Sequence, residues 1–146
     1  MSFEDLATLL AESEEGPLTC LPYAQLLGLH YVIADATGVT VTMPFQKTLI
    51  GAPKPPRLHG GTVAGLMEIA SIAQLVHELR QETTRPGIKP INVTVDYLRA
   101  GQPEATHARA RIVRQGRRIA HINVEAWQSD PAQPIAGGRM NALLTR

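Results

Sequence analysis

The stretch that decides the fold is RLHGGTVAGLMEIASIAQL, from Arg57 to Leu75. A His-Gly-Gly turn at residues 59–61 precedes a run that is apolar at almost every position. Inside that run the only charged residue is Glu68. The pattern predicts a long helix over Gly61–Arg80 that other parts of the fold cover on most of its sides.

Glu68 is the most informative residue of this predicted helix. A carboxylate among apolar side chains loses hydration, so it needs either a charged partner or a chemical task. No basic residue stands three or four positions away, where a local ion pair would form. One structural alternative stays open, namely that a basic side chain from elsewhere in the fold pairs with Glu68. The preferred interpretation is that Glu68 has a functional role.

The start of the helix supplies a second chemical element. Backbone N–H groups in a first helical turn have no partner inside the helix, and the helix dipole adds partial positive charge there. Gly60 and Gly61 lack a Cβ, which lets a substrate approach this backbone closely, although the same residues also suit an ordinary helix start. An acid together with free N–H donors is typical of an acyl-transfer site. His59 either contacts a substrate carbonyl or forms a hydrogen bond that holds the loop.

The spacing of Gly60 and Glu68 limits how they can act together. Eight helical residues separate them, which is about 12 Å along the axis, too far for both to contact one carbonyl. If both act, Glu68 of one subunit must face Gly60 of another. A helix of this length also extends beyond what a small sheet covers, so we expect a homo-oligomer, either a dimer or a dimer of dimers.

The composition is that of an ordinary globular chain. Its 146 residues suit one domain over residues 1–146, and a net charge of +1 gives no reason to expect a nucleic-acid partner. Cys20 is the only cysteine, which excludes an internal disulfide. The N-terminus lacks the basic residues of a signal peptide, and no apolar run approaches the roughly 20 residues that span a bilayer. We expect a cytoplasmic protein without membrane association, and the spacing of its histidines predicts no metal site.

Periodicity and turn residues predict the other elements. The chain before the long helix is predicted to begin with a helix over Phe3–Ala11, which has a capping box at Ser2 and Asp5. A loop over Glu12–Thr19 and a helical turn over Pro22–Leu27 follow. Two strands, over His30–Ala34 and Val39–Met43, come next, and a Pro-rich loop over Gly51–Leu58 leads to the long helix. After it come three strands beyond Pro86-Gly87 and a last strand over Ile135–Leu144, expected to be antiparallel neighbours because their connections are short. The prediction is an α+β fold, with an antiparallel sheet wrapped around one long central helix.

Three segments in this order resemble a known family. They are the His-Gly-Gly turn with an acid nine positions after the histidine, PYAQLLGLHYV over Pro22–Val32, and VTVDYLRAG over Val93–Gly101. Together they resemble the hotdog-fold acyl-CoA thioesterases of the phenylacetic-acid-degradation and hydroxybenzoyl-CoA type. The resemblance implies hydrolysis of an acyl-CoA thioester to the free acid and coenzyme A, with the coenzyme as part of the substrate and no separate cofactor.

The resemblance also implies roles for individual residues. It assigns the oxyanion donor to the backbone N–H of Gly60 and the role of nucleophile or general base to Glu68. His59 joins them as a catalytic candidate, and Gly61 is a candidate for substrate binding. The family commonly has Asn or Gln about six residues before the histidine, where this chain has Pro53, which has no side-chain donor.

Two side chains are candidates to replace groups that the family pattern has and this chain lacks. Ile72 stands where some relatives have a hydroxyl, so Ser71 beside it is a candidate for substrate binding. Gln46 is the candidate for the missing amide. For the phosphates of coenzyme A, Arg85, Lys89 and Arg99 are equal contenders, because basic side chains suit phosphate.

Some alternatives stay open. An arginine-rich hairpin is interpreted as a solvated sheet face, with phosphate binding as the alternative; its members are Arg109, Arg111, Arg114, Arg117 and Arg118. Tyr97 and Trp127 are expected in the core or at an interface. A non-catalytic acyl-CoA or lipid-binding protein of the same fold is the second functional hypothesis, which Pro53 suggests, and a hydratase is the third. The sequence does not give the acyl group.

Overall fold

The long helix predicted from the opening stretch lies at the centre of the molecule. In the computed structural model, which describes residues 3–146, this helix (α3) runs over Gly60–Leu79. It packs mainly against two strands, β3 (Gly38–Met43) and β7 (Thr106–Gln115). Twelve of its residues are buried, most of them apolar, which explains why the sequence has no polar stripe on this helix.

Seven strands form one sheet around this helix, in the order β1-β2-β3-β7-β8-β9-β6, and every neighbouring pair is antiparallel. Besides β3 and β7 they are β1 (Glu15–Pro17), β2 (His30–Ala34), β6 (Gly87–Tyr97), β8 (Ile119–Trp127) and β9 (Ala136–Thr145). Two short helices precede the first long strands, α1 (Phe3–Glu12) and α2 (Pro22–Leu26). This arrangement of an antiparallel sheet around one helix is the predicted α+β hotdog fold.

Three expectations about secondary structure need correction. The predicted loop over residues 12–19 contains the edge strand β1, which pairs with β2. The Pro-rich stretch is not only a loop: β4 (Ile50–Pro53) and β5 (Pro56–Leu58) form a separate two-stranded hairpin, after a 3-10 turn over Lys47–Leu49. Pro53 and Pro56 face each other next to its turn, where few ladder donors are needed. The capping box at Ser2 lies outside the described residues.

The third correction concerns strand order. The first strand after α3, β6, does not pair with the next strand, β7; it pairs with the last strand, β9. Both edges of β7 are already occupied, by β3 on one side and β8 on the other. The free edge of β9 is therefore the place left for β6, and the connection over residues 98–105 is long enough to cross the end of the sheet. As a result, β6 forms an outer edge of the sheet along all of its length.

A buried amide joins α3 to the sheet. Gln74 is 6% exposed; its Oε1 accepts the backbone N–H of Val39 over 2.8 Å, and its Nε2 donates to Glu78 over 3.0 Å. Gly38, next to Val39, has a positive φ of 75°, and a Cβ there would lie 2.4 Å from Gln74 Oε1. Glycine at this position thus serves both the backbone conformation and the close approach of the glutamine.

Candidate active site

The backbone at the start of α3 has one N–H group occupied and one free. His59 is the N-cap, and its Nδ1 accepts the backbone N–H of Gly61 over 2.9 Å. Its own N–H donates to the carbonyl of Leu49 over 2.8 Å, which fixes the turn against the Pro-rich hairpin. The Gly60 N–H has no acceptor among residues 3–146. Of the two glycines, Gly60 is therefore the one whose donor is available to a ligand.

Gly60 lies in a depression of about 320 Å³ at this end of the helix. Arg57, Val63 and Arg99 also line it, together with Tyr97, whose hydroxyl donates to the Gly60 carbonyl over 2.9 Å. The guanidinium of Arg99 is held by the carbonyl of Pro134 over 2.7 Å. The depression thus combines a free backbone donor with two guanidinium groups, a combination suited to an anionic ligand.

Glu68 lies in a different place, a groove of about 550 Å³ on another side of α3. The rest of its lining is almost entirely apolar: Phe3, Leu21, Pro22, Tyr23, Gly65, Ile69, Ile72 and Pro90. The carboxylate is half-buried and has neither an ion pair nor a hydrogen bond within the described part of the chain. The structural alternative, a base that neutralises Glu68, is thus not found among residues 3–146.

Tyr23 fits closely against the helix beside this acid. A Cβ at Gly65 would lie 2.7 Å from the Tyr23 hydroxyl, so the glycine lets the ring approach α3 one turn before Glu68. The tyrosine is nevertheless 48% exposed, which leaves the groove open to the outside of the subunit. A ligand or a second subunit has access to the Glu68 carboxylate from this side.

The two depressions share no lining residue, and this has a direct chemical consequence. The helical rise between Gly60 and Glu68 is about 12 Å, so one carbonyl carbon does not contact both groups within a single subunit. The structure therefore agrees with the spacing argument made from the sequence.

The other residues proposed from the sequence are scattered. Ser71 is fully buried, and its hydroxyl donates to the carbonyl of Met67 over 2.8 Å, so it is not presented to the Glu68 groove. Arg85 lines a smaller groove of about 250 Å³ near the C-terminal end of α3. Lys89 is exposed on the edge strand β6. Of the three contenders for coenzyme A phosphates, only Arg99 lies beside Gly60 in the same subunit.

Pro53 stands where the family commonly has an amide side chain, and Gln46 was considered as its replacement. Both residues are also distant from Glu68. Pro53 is exposed in the hairpin, and Gln46 packs beside Gly28, where a Cβ would lie 3.1 Å from its Nε2. Neither residue lines the groove of Glu68 or the depression of Gly60. Gln46 therefore does not replace the missing amide in this arrangement.

The sequence analysis missed the aromatic residues around both places. Tyr97 was expected in the core or at an interface. It is not in the core, because it is 57% exposed, and its hydroxyl donates to the Gly60 carbonyl; its place at an interface stays a prediction. Phe3 and Tyr23 line the Glu68 groove although they are far from it in sequence. The available signal for Tyr97 was its position at the end of β6, in the VTVDYLRAG segment. Nothing in the local pattern marks Phe3 or Tyr23, because only the tertiary fold brings them to α3.

A wider cleft of about 710 Å³ lies at the other end of α3, but it contains neither Glu68 nor the glycines. Its lining includes Gln74, His77 and Trp127, with the guanidinium of Arg109 5.0 Å from the Trp127 ring centroid. Burial lowers the pKa of His77, and the charge of Arg80 lowers it further. Within residues 3–146, no three His, Cys, Asp or Glu side chains gather as metal ligands, and no helix is long and apolar enough to cross a membrane.

Comparison with known proteins identifies the family. The family model described as the acyl-CoA thioesterase N-terminal domain matches residues 52–144. A protein of Escherichia coli strain K12, the medium/long-chain acyl-CoA thioesterase YigI, is 27% identical over 117 residues, which are 72% of this chain and 74% of that protein. The Salmonella typhimurium protein of the same name is also 27% identical, over 122 residues, 75% of this chain and 77% of that protein.

Solved structures show the same fold. A Chromobacterium violaceum protein is 32% identical, with a TM-score of 0.72 over 99% of this chain and 96% of that one. A Bacillus halodurans protein crystallised with CoA is 21% identical, with a TM-score of 0.74 over 98% and 93% of the two chains. The resemblance proposed from the sequence is thereby confirmed. The chain belongs to the acyl-CoA thioesterase family and is a thioester hydrolase with the hotdog fold.

Proposed function

We propose that this protein hydrolyses the thioester of aliphatic acyl-CoA molecules at a site formed between two subunits. The observation that carries the proposal is the separation of the two chemical elements. One is a half-buried acid without a partner among residues 3–146, in an apolar groove, and the other is an N–H without an acceptor in the same residues, beside two guanidinium groups. Each element lacks what the other supplies. A second copy of the chain brings them together.

The edge strand β6 offers the geometry for this pairing. Pro90 of β6 lines the Glu68 groove, and Tyr97 of β6 lines the Gly60 depression. The strand is at the edge of the sheet, so its outer N–H and C=O groups are unpaired within the subunit. Antiparallel self-pairing centred on Thr94 places residue 91 opposite residue 97 of the other strand. This pairing would bring the Glu68 groove of one subunit against the Gly60 depression of the other.

The same pairing places two of the proposed phosphate-binding residues close together. Lys89 stands before the irregularity at residues 90–92 of β6, and Arg99 stands two residues beyond the end of β6. About the same centre these two positions come to the same end of the paired strands, so we propose that Lys89 of one subunit approaches Arg99 of the other. Arg99 already lies in the Gly60 depression. We propose that these two residues and Arg57 bind the phosphates of coenzyme A, while Arg85, at the opposite end of α3, does not.

The chemistry follows from these positions. Glu68 takes a proton from a water molecule, whose oxygen attacks the thioester carbonyl carbon, or attacks that carbon itself. The carbonyl oxygen becomes negative, and the Gly60 N–H, strengthened by the dipole of α3, donates to it. When Glu68 acts as the general base, the carbon–sulfur bond then breaks and the proton taken from water passes to the sulfur of coenzyme A. When Glu68 attacks directly, the bond breaks to leave an anhydride between the acyl group and Glu68. Water hydrolyses this anhydride, one proton of that water passes to the coenzyme A thiolate, and the Glu68 carboxylate is restored. A free acid and a thiol are the products.

The apolar lining around Glu68 supports an aliphatic acyl group. Apart from the carboxylate and the Tyr23 hydroxyl, the side chains of this groove offer no polar partner to an acyl group. The curated relatives in Escherichia coli and Salmonella typhimurium are named medium/long-chain acyl-CoA thioesterases, which supports the same substrate class here. The predicted cytoplasmic location remains part of the proposal.

Release of free thiol from acyl-CoA tests the proposal. We expect the wild-type protein to release coenzyme A from octanoyl-CoA, and Glu68→Gln to lose activity by about 100- to 10,000-fold, the usual contribution of a general base. Glu104→Gln, at an exposed loop carboxylate, is the matched control and retains activity. Full activity of Glu68→Gln would refute the role of Glu68. Stabilisation of the wild-type protein by acyl-CoA without any thiol release would instead support the non-catalytic binding protein.

A mixing experiment tests whether the site is shared. Glu68→Gln and a variant without the Gly60 donor, Gly60→Pro, are unfolded together and refolded at equal amounts. In a twofold dimer, half of the molecules are mixed and each has one intact site, so about a quarter of the wild-type activity returns. If both groups acted within one subunit, mixing would restore nothing. The unmixed variants, refolded separately, are the control.

A further inference from the structure

A second groove, whose contacts with α3 are apolar, continues the line of the Glu68 groove along this helix. The first groove contacts the helix at Gly65, Glu68, Ile69 and Ile72, and the second contacts it at Val76 and Leu79. These positions recur at helical spacing, so they lie along one side of α3. From Gly65 to Leu79 this side is about 21 Å long.

Phe3 is the residue that both grooves share. It lines the groove of about 550 Å³ that contains Glu68 and also the groove of about 250 Å³ beyond it. The short helix α1 holds it there, because Leu6, Ala7 and Leu10 of α1 are buried in the core and α1 packs on α3. The Phe3 ring is half-buried and packs against that core. It therefore stands at the junction of two apolar spaces.

The direction of the substrate follows from the site already proposed. The coenzyme A half of the thioester is bound on the Gly60 and Arg99 side, and the reacting carbonyl is at Glu68. The acyl chain then leaves the carbonyl along the apolar groove that contains Glu68, towards Ile72 and Phe3. Its terminal methyl group meets Phe3 before it can reach Val76.

We propose that Phe3 sets the length of the acyl chain that the enzyme accepts, by closing the Glu68 groove at its junction with the second groove. This inference rests on the proposed function. Medium-length chains end at the aromatic ring, and longer chains require the ring to be removed or displaced. Arg85 and Glu4 line the second groove, so a chain that passes Phe3 also reaches charged side chains.

The experiment compares chain-length profiles of Phe3 variants. Thiol release is measured with butanoyl-, octanoyl- and hexadecanoyl-CoA for the wild type, Phe3→Ala, Phe3→Leu and Phe3→Trp. Phe45→Ala is the matched control, because Phe45 is the only other phenylalanine and lines neither groove. The apparent mass of each variant is measured at the assay concentration.

We expect Phe3→Ala to lower KM for hexadecanoyl-CoA relative to octanoyl-CoA by about fourfold for each methylene that enters the second groove. Phe3→Trp shifts the preference towards shorter chains, and Phe45→Ala leaves the profile unchanged. A preserved profile in all Phe3 variants, with activity on octanoyl-CoA intact, would refute the role of Phe3 and leave the thioesterase proposal standing. A changed apparent mass with an unchanged profile would also refute that role and would show that Phe3 supports the contact between subunits instead.

A binding measurement separates this inference from the proposed function. Octanoate and hexadecanoate are titrated into the same variants by calorimetry, without any hydrolysis. Tighter binding of hexadecanoate by Phe3→Ala than by the wild type supports the inference even if thiol release fails. Equal binding by both proteins refutes it. Phe3→Leu provides the same comparison if Phe3→Ala does not fold.

Discussion

The imidazole Nδ1 of His59 accepts the backbone N–H of Gly61 over 2.9 Å, and this bond leaves the neighbouring Gly60 N–H as the free donor at the start of α3. A ring nitrogen that accepts carries no proton, so the proton of the neutral ring is on Nε2. His59 therefore positions the first turn through one nitrogen and presents a second donor, Nε2–H, from an exposed side chain.

Two substitutions of His59 separate capping from catalysis. His59→Ala removes the cap, so the free energy of unfolding should fall by about 1 kcal/mol. His59→Asn keeps a side-chain acceptor at the N-cap and should retain most of this stability, but it removes the Nε2–H. Chemical denaturation and kcat for octanoyl-CoA are measured for both variants. If His59 only holds the turn, the Asn variant keeps the wild-type kcat; a large loss of kcat at unchanged stability would assign it a contact with the substrate.

The oxyanion donor can be removed by one substitution at the first residue of α3. Proline is tolerated there, and the φ of −65° and ψ of 128° at His59 suit a residue that precedes proline. Gly60→Pro eliminates the N–H, and we expect kcat to fall by about 100- to 1,000-fold with the helix retained.

Gly60→Ala is the matched control for this substitution. It keeps the N–H and adds a Cβ, which would lie 3.0 Å from the exposed Tyr97 ring, so the ring must move by a few tenths of an ångström. Its kcat should remain within several-fold of the wild type. Equal losses in the two variants would mean that the space beside Tyr97 matters rather than the donor.

Self-pairing of β6 predicts a specific cross-link. With Cys20→Ser as background, Thr94→Cys introduces one thiol per chain at the centre of the proposed pairing, where opposite Cβ atoms lie about 5 Å apart. Mild oxidation should produce a covalent dimer on a non-reducing gel, in most of the protein. Thr8→Cys on the exposed side of α1 is the control and should remain a single chain. A monomeric Thr94→Cys protein under the same conditions would contradict the proposed centre.

The pH dependence of stability follows from two half-buried imidazoles. Burial lowers the pKa of His77, with a further contribution from Arg80, and burial also lowers the pKa of His107, both from an ordinary value of 6.5. The unfolded chain therefore binds these protons more tightly than the folded protein. The stability linked to these two neutral imidazoles is fully present above about pH 6.5. It decreases as the pH falls through that value towards the lower pKa values of the folded state.

Urea denaturation at about pH 8 and about pH 5 measures this decrease. His77→Gln should reduce the difference in stability between the two pH values, because it removes one of the titrating groups. Nδ1 of His77 is buried without a hydrogen-bond partner among residues 3–146, so the substitution removes no such bond at that atom. His30→Gln, at an exposed position on β2, is the control. The same difference in all three proteins would show that His77 does not contribute.

The sequence predicted the parts of the fold whose periodicity is strong. The bounds of α3 differ from the prediction by one residue at each end, because the His-Gly-Gly turn is a clear start signal. The order of β6 and β7 was not predictable from short connections, since it depends on which strand edges remain free after β3, β7 and β8 have paired. The hairpin over β4 and β5 was missed because prolines disfavour ladders, yet here they stand where few donors are needed.

The site was predictable only in part, because the tertiary fold brings some of its residues together from distant segments. Glu68 and the glycines stand out in the local sequence because their chemistry conflicts with an apolar helix. Ser71 was chosen because it stands beside Ile72, where some relatives have a hydroxyl, but its hydroxyl turns back to the Met67 carbonyl inside the core. Phe3, Tyr23 and Tyr97 come from distant segments, and no periodicity in those segments indicates what they contact.

The unpaired edge of β6 has a consequence for the cell that makes this protein. Each newly synthesised chain carries an eleven-residue edge strand, with Ile91 exposed within it and Leu98 exposed directly after it. Such an edge accepts any extended segment, so foreign partners compete with the correct one and favour aggregation. If β6 pairs with a second copy as proposed, a folded chain has no complete site until it meets that copy, so production at a low chain concentration lowers the yield of working enzyme.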